Sequence, residues 1–297
     1  MDKFTGVHEI INVNIYIMNN AINGLSIIAT PIGNLDDISY RAIDTLKECE
    51  IIICENPKHS LKLLNKLGIK KKLIALHDYN EHQIIDQIKS LLKSKKCSLI
   101  SDAGSPLISD PGYNLIQFCI SNNIKITSIP GPTSIIASLQ LSGLPISEFI
   151  FFGFVPKSKK KLEELIKSIS QEKRTSVLFV SNHKLITFLD CLHKFMPDRQ
   201  ISLCKELTKV NEHVFRGISS RVKADLLQKK ENSKGEFVAV IDGQILKIQG
   251  FEDLDSYQKE IKKMTTKFSL TDVVGIVHKF TKINKNKIYK WLLTLKK

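Results

Sequence analysis

The first half of the chain is patterned in short apolar runs, each too brief for a helix and each ended by turn-forming residues. Positions 25–30 lead into Pro31-Ile32-Gly33-Asn34, positions 98–101 into Asp102-Ala103-Gly104-Ser105-Pro106, and positions 125–129 into Pro130-Gly131-Pro132-Thr133-Ser134. The run Ile51-Ile52-Ile53-Cys54 has the same form and leaves Glu55 at the carboxyl end of a strand. Helical periodicity fills the intervals: 60–67 and 81–92 read as helices, the second carrying Ile84, Ile85, Ile88, Leu91 and Leu92 on one stripe. Strands alternating with helices pack as a mainly parallel sheet with helices on its faces, which makes the fold class α/β.

Between Phe152 and Lys161 the pattern changes. Gly153, Pro156 and the cluster Lys157, Lys159, Lys160 and Lys161 read as a linker or surface loop entering a helix with Leu162, Leu165, Ile166 and Ile169. A boundary is expected near Phe154, giving an N-terminal extension at 1–24, an N-terminal α/β domain at 25–154, a second α/β domain at 155–245, and a linker with a C-terminal unit at 246–297. In the second domain 175–180, 200–207, 213–218 and 236–241 read as strands with one clear helix between the first two, which predicts substantial antiparallel pairing. At the end, Ser269 can cap a helix bearing Leu270, Val273, Val274 and Val277, and Asn284 a second bearing Ile288, Trp291, Leu292 and Leu295. Two short amphipathic helices joined by a polar turn resemble a helix-turn-helix unit.

Composition narrows the class. At 297 residues, 42% hydrophobic and 25% charged, the chain is no disordered, collagen-like or disulfide-scaffold protein, and roughly 150 residues per domain allows two domains. With 44 basic and 30 acidic residues its net charge is +14, which favours polyanionic partners, nucleic acid first. Only Arg41, Arg174, Arg199, Arg216 and Arg221 are arginine; a lysine, isoleucine and asparagine bias can follow genome base composition, so the location of charge matters more than its total. Between Lys279 and Lys297 there are seven lysines and no acidic residue, with Lys285, Lys287 and Lys290 on the last helix, either toward phosphate or as a solvated helix pair. The six cysteines contain no C-x-x-C pair and read as reduced cytoplasmic thiols, with no metal site. No targeting pattern occupies the first 24 residues, and the uncharged stretch 126–147 is broken by Pro130, Gly131, Pro132, Gly143 and Pro145, so it reads as soluble core and not as a membrane span.

Ligands of open α/β sheets bind beyond the carboxyl ends of the strands, and three Gly/Pro turns at such ends outline a crevice for one extended small molecule. Glycine lets the backbone approach closely, and exposed amides and carbonyls can read an adenosine and an amino-acid moiety. Neither the P-loop pattern nor G-x-G-x-x-G occurs, which moves ATP and NAD behind. The segment His77-Asp78-x-x-Glu81-His82 invites a metal, but no further cluster supports it, and Asp78 or Asn80 is expected to cap the following helix.

The segments Ala29-Thr30-Pro31-Ile32-Gly33-Asn34-Leu35, Ser101-Asp102-Ala103-Gly104-Ser105-Pro106-Leu107-Ile108-Ser109-Asp110-Pro111-Gly112 and Pro130-Gly131-Pro132 resemble the ribosomal RNA small subunit methyltransferase I family. That family is a branch of the tetrapyrrole methylase-like superfamily. Leu76-His77-Asp78-Tyr79-Asn80-Glu81, Lys205-Glu206-Leu207-Thr208-Lys209 and Lys234-Gly235-Glu236-Phe237 extend the likeness over about 25–243, and the tail resembles the family's as well. The resemblance implies two α/β domains that clasp S-adenosylmethionine in their cleft. It further implies a homodimer that methylates the ribose 2′-hydroxyl of a decoding-region cytidine in small-subunit rRNA, on a 30S subunit. Carried over residue by residue, Pro31 and Gly33 line the cofactor cleft, and Asp102, Ala103, Gly104, Ser105 and Leu107 meet the methionine and ribose ends. Thr133 and Ser134 lie beside the sulfonium, and Phe179, Gly235, Glu236 and Phe237 approach from the second domain.

In an in-line methyl transfer a sugar hydroxyl is a poor acid, so a proton acceptor or a neighbouring cation assists; Glu55, His77, Asp78 and Lys205 are the candidates. Lys58, Lys157, Lys159 and Lys160 are candidates for the RNA backbone, or for plain hydrated surface. The chain departs from the family pattern with Glu55-Asn56-Pro57-Lys58 where relatives carry an acidic-acidic-Thr-Arg stretch, with Val180 in place of a glutamate, and with Lys205 in place of an arginine. Two other activities remain open at this stage: a tetrapyrrole methylase, or a non-catalytic subunit-assembly factor.

Overall fold

The computed structural model describes residues 23–77, 79–244, 254–281 and 283–295. Of the expected N-terminal extension only Asn23 and Gly24 fall within them.

The first body is built from β1 (Gly24–Ile28), α1 (Tyr40–Glu48), β2 (Ile51–Cys54), α2 (Pro57–Lys66), β3 (Lys72–Ala75), α3 (Glu81–Ser94), β4 (Lys96–Ile100), α4 (Tyr113–Ser121) and β5 (Ile126–Ile129). Its strands run in the order β3-β2-β4-β1-β5, and every pairing is parallel. A parallel sheet is covered on both faces, and the two-residue period of a strand divides the side chains between them. Ile51 and Ile53 join Leu25, Leu99, Ile88 and Leu115 in one core, while Ile52 and Cys54 join Ile28, Ile100, Leu46 and Leu64 in the other. That two-sided burial explains why β2 and β4 read as unbroken apolar runs.

The second body follows: α5 (Ser134–Ser142), β6 (Phe149–Phe154), α6 (Lys159–Gln171), β7 (Thr175–Val180), α7 (Leu185–Phe195), β8 (Gln200–Lys205), β9 (His213–Ile218), α8 (Ser219–Leu227) and β10 (Phe237–Ile241). The strand order is β6-β7-β10-β8-β9, parallel at β6-β7 and antiparallel elsewhere. One face packs Leu178, Leu203, Ala239 and Ile241 against Ile166, Phe188, Leu189 and Val222 of α6, α7 and α8. The other packs Val177, Cys204, Val238 and Val240 against Ile135 and Leu139 of α5.

The structure places 149–154 in the second sheet. The expected boundary near Phe154 therefore falls at the end of a strand whose residues Phe149, Ile150 and Phe151 pair with Thr175, Ser176 and Val177. Gly153 and Pro156 suggested a loop, yet Gly153 sits inside a β-bulge, where glycine is common. The chain crosses between the sheets once, through 130–148, and α5 already leans on the second body.

The C-terminal unit comprises α9 (Gln258–Thr265), α10 (Leu270–Thr281) and α11 (Lys285–Thr294) around its own core of Leu254, Ile261, Val273, Val274, Val277, Ile288 and Leu292. Ser269 Oγ accepts from the Asp272 amide and Asn284 Oδ1 from the Asn286 amide, so both expected caps are formed. No helix among the described residues is long and apolar enough to cross a membrane.

Candidate active site

A cleft of about 540 Å³ opens where the carboxyl ends of the first sheet meet one face of the second, a volume in the range of small-molecule sites. From the first body come Ile32, the 102–105 turn, Ile108, Ser109, Asp110, Thr133 and Ser134; from the second come Phe154, Phe179, Val180, the 181–183 turn, Cys204, Leu207 and 235–238. The three Gly/Pro turns foreseen from the sequence are stitched into one wall. Thr30 and Gly104 exchange both backbone hydrogen bonds, at 2.9 and 3.0 Å, and the Thr30 hydroxyl donates to the Ser101 carbonyl at 3.2 Å. A Cβ on Gly131 would meet the Ala29 Cβ at 3.1 Å, so the third turn also needs glycine to come this close.

Asp102, Ala103, Gly104, Ser105, Thr133, Ser134, Phe179, Gly235, Glu236 and Phe237 all line this cleft. Pro31, Gly33 and Leu107 do not belong to the lining. Pro31 is buried. Gly33 abuts 207–209, where an added Cβ would fall 2.8 Å from the Leu207 carbonyl oxygen, and its neighbour Asn34 donates its amide to Thr208 Oγ1 at 2.9 Å. Leu107 turns its side chain back against Gly112 and the first core, so both residues support the wall from behind.

The loops around the cleft hold costly backbone geometry. Leu107 and Ser109 have φ of 73° and 71°, and Glu206 and Thr208 have 50° and 64°. Non-glycine residues in this region cost about 1–3 kcal/mol each, and at Glu206 and Thr208 hydrogen bonds to Glu236, Glu212 and Asn34 offset the cost. Glu206 Oε1 accepts from the Glu236 amide at 2.8 Å, and Lys209 Nζ bridges the Glu206 and Glu236 carboxylates at 3.0 and 2.9 Å. Burial alone would raise the Glu206 carboxyl, but the Glu236 amide and the Lys209 ammonium hold it below its ordinary value.

The first-body wall is acidic. Burial, then repulsion from Glu55, pushes the Asp110 carboxyl up to about 6, with Asp102 adding to the repulsion and a hydrogen bond from Ser101 opposing it. Asp102 Oδ1 is buried without a hydrogen-bond partner and lies 3.6 Å from His59 Nδ1. Half-buried carboxylates that repel one another are electrostatically prepared for a cation. Burial raises the Cys204 thiol to about 11, so on the facing wall it remains a neutral thiol.

The expected proton-handling residues are dispersed. Glu55 and Asp110 border one small cavity beneath the 106–111 loop. His77 is exposed beyond the edge strand β3, where its amide donates to Asn80 Oδ1 at 2.7 Å. Asn80 accordingly ties its own turn, also donating to the Ala75 carbonyl, and makes no side-chain cap on α3. Asp78 lies outside the described residues. Lys205 is a correction: strand alternation turns Cys204 to the cleft and Lys205 away from it, and its buried Nζ donates to the Glu231 carbonyl at 2.7 Å. Glu81 is engaged as well, accepting from the Leu115 amide and the Asn114 side chain.

Lys58, Lys157, Lys159, Lys160, Lys285, Lys287 and Lys290 are all exposed. Two of the family departures acquire a structural reason. Asn56 accepts from the amides of Lys58 and His59 and Pro57 takes the first helical position, so Asn-Pro starts α2 well. Val180 is 2% exposed within the second core, where a carboxylate would be desolvated. Sequence reading missed Asp110 and Phe154 in the cleft lining, because only the fold brings them there, and it missed His59 beside Asp102; the phenylalanines at 151–154 were the one available signal.

The chain matches the family of Tetrapyrrole (Corrin/Porphyrin) Methylases over residues 24–222. It is 40% identical over 220 residues to the Ribosomal RNA small subunit methyltransferase I of Thermotoga maritima, a match covering 74% of this chain and 98% of that protein. It is 37% identical to the protein of that name from Buchnera aphidicola subsp. Schizaphis graminum, with 89% and 94% covered, and 33% identical to that of Escherichia coli O157:H7, with 93% and 96% covered. Among solved structures, a uroporphyrin-III-C-methyltransferase from Thermus thermophilus superimposes with a TM-score of 0.52 at 17% identity over 74% of this chain and 94% of its own. A diphthine synthase does so with 0.56 at 19% over 78% and 95%. At those identities the two structures speak for the fold alone.

Proposed function

The chain belongs to the tetrapyrrole (corrin/porphyrin) methylases, and from that premise we propose that it uses S-adenosylmethionine to methylate small-subunit ribosomal RNA. The proposal extends to the acceptor, the ribose 2′-hydroxyl of a decoding-region cytidine, and to a cytoplasmic homodimer acting on the 30S subunit. The observation that carries it is the cleft: ten residues that the family pattern assigns to the cofactor line one cavity formed by both bodies. Its acidic wall, where Asp102 Oδ1 accepts no hydrogen bond, fits a ligand carrying a sulfonium and an ammonium group.

In this reading S-adenosylmethionine, when bound, supplies an electrophilic methyl group. Asp102 and Asp110 draw the cationic ligand to the first-body wall, while the 102–105, 133–134 and 235–237 backbones fix its orientation. Fixing two reactants in line removes much of the entropic barrier, up to ~7–11 kcal/mol in favourable cases. Asp110, with its carboxyl near 6, is ionised at neutral pH yet basic enough to receive a proton from a sugar hydroxyl, and Glu55 behind it keeps the local charge negative. The apolar side chains of Phe179 and Val238 keep water from the reacting atoms.

The test is transfer of labelled methyl from S-adenosylmethionine to 30S particles lacking the modification, read by primer extension at low nucleotide concentration across the decoding region. A new stop at one cytidine is expected. Cofactor binding without any transfer to 30S particles refutes the reading, and 30S binding without cofactor binding identifies an assembly factor instead.

A further inference from the structure

Phe154 is 59% exposed, although it belongs to a β-strand and lines the cleft. Its exposure is a product of the backbone. Phe151 and Phe154 are three residues apart, which ordinary alternation would place on opposite faces, but their partners Val177 and Phe179 are two apart. The extra residue forms a bulge, with Gly153 at a φ of 73°, and it returns Phe154 to the cleft face. There its ring centroid lies 5.1 Å from that of Phe179, edge to face, and Phe179 contacts Phe151 likewise at 4.9 Å. The stack is thus anchored at Phe151 and open at Phe154, a flat apolar surface held rigid from behind.

What covers that surface is indicated by charge. The first-body wall, with Asp102 and Asp110, suits a cation. On the Phe154 side the strand leads through Val155 and Pro156 directly to Lys157, Lys159, Lys160 and Lys161, all exposed, around the first turn of α6. No acidic residue occupies that turn, so the ammonium groups add to the positive end of the helix dipole. An aromatic face followed within seven residues by four cations is suited to a stacked base with its flanking phosphates, since single-stranded RNA is held by base–aromatic stacking and backbone charge.

We propose that Phe154 is the stacking platform for the base of the acceptor nucleotide, with Lys157, Lys159, Lys160 and Lys161 receiving the phosphates next to it. This inference rests on the rRNA methyltransferase reading. Phe154 is a positioning residue: it presents the sugar to the cleft and takes no part in bond making.

Three variants test it, F154A, F154Y and F154L, each measured for melting temperature, for S-adenosylmethionine affinity by calorimetry, and for 30S binding and methyl transfer beside the wild-type protein. F154A and F154L are expected to bind 30S particles at least about tenfold more weakly, with KM raised and cofactor affinity unchanged, whereas F154Y retains both. Failure of F154Y, or full function in F154L, would show that bulk and not a flat ring is required and would overturn the proposal. So would loss of cofactor affinity in F154A, since the platform would then serve the adenine of the methyl donor. If the wild-type protein neither binds nor methylates 30S particles, the functional reading itself fails; if it does both and F154A equals it, only the platform does.

Discussion

At the scale of single residues, Asp110 connects stability to binding. Its carboxyl is raised in the folded protein from an ordinary value of 3.8 to about 6, chiefly by burial and by Glu55. A raised carboxyl favours the protonated folded state, so its contribution to stability is full below pH 3.8 and is lost as the pH rises through about 6. Asp110→Asn is therefore expected to melt above the wild-type protein at pH 7.5, with the difference shrinking as the pH falls through that window. Calorimetric affinity for S-adenosylmethionine should move the other way, falling in the wild-type protein as acid neutralises the carboxylate and staying low and flat in the variant. None of this was legible in the sequence. Asp110 stands in a motif like its neighbours, and only burial beside Glu55 sets it apart. Lys205 shows the same limit, because spacing within a motif does not say which face of β8 a residue takes.

At the scale of elements, turns and strands were legible where local rules decide them. The apolar runs ended by Gly/Pro turns became β1, β4 and β5, and Ser269 and Asn284 cap their helices because an N-cap needs only a side chain and the amides beside it. The β6 strand was not legible as part of the second sheet, since Gly153 and Pro156 look like a linker until the pairing with β7 is known. The start of α6 gives an element-scale prediction. Lysines there oppose the helix dipole, so Lys159→Glu and Lys160→Glu should each stabilise the fold by about 0.3–1 kcal/mol, seen as a higher melting temperature. The same changes should weaken 30S binding and flatten its dependence on salt concentration, because fewer counterions are released. Surface lysines without an RNA role would give the first effect and not the second.

At the scale of the molecule, the alternation of strand and helix disclosed the first α/β body, the antiparallel second half was also readable and the Gly/Pro turns marked one wall of the cleft, but the wall from the second body was visible only through the family pattern. The C-terminal helices enclose a core separate from both sheets. A chain ending at Gln244 should therefore keep the melting transition of the body and its affinity for S-adenosylmethionine, while binding 30S particles more weakly; unchanged sedimentation with 30S would remove α10 and α11 from the RNA contact.

The strand order also sets a timetable for synthesis. The parallel sheet is complete once Ile129 has been made, so the first body can close early, as N-terminal units of growing chains do. The second cannot, because β10 is the last strand synthesised and yet lies between β7 and β8. Until it inserts, α5 lacks Val238 and Val240 to rest on, and 235–238 are missing from the cavity wall. A nascent chain thus carries half of the cavity wall for more than a hundred residues, and the cleft is not enclosed until β10 locks in.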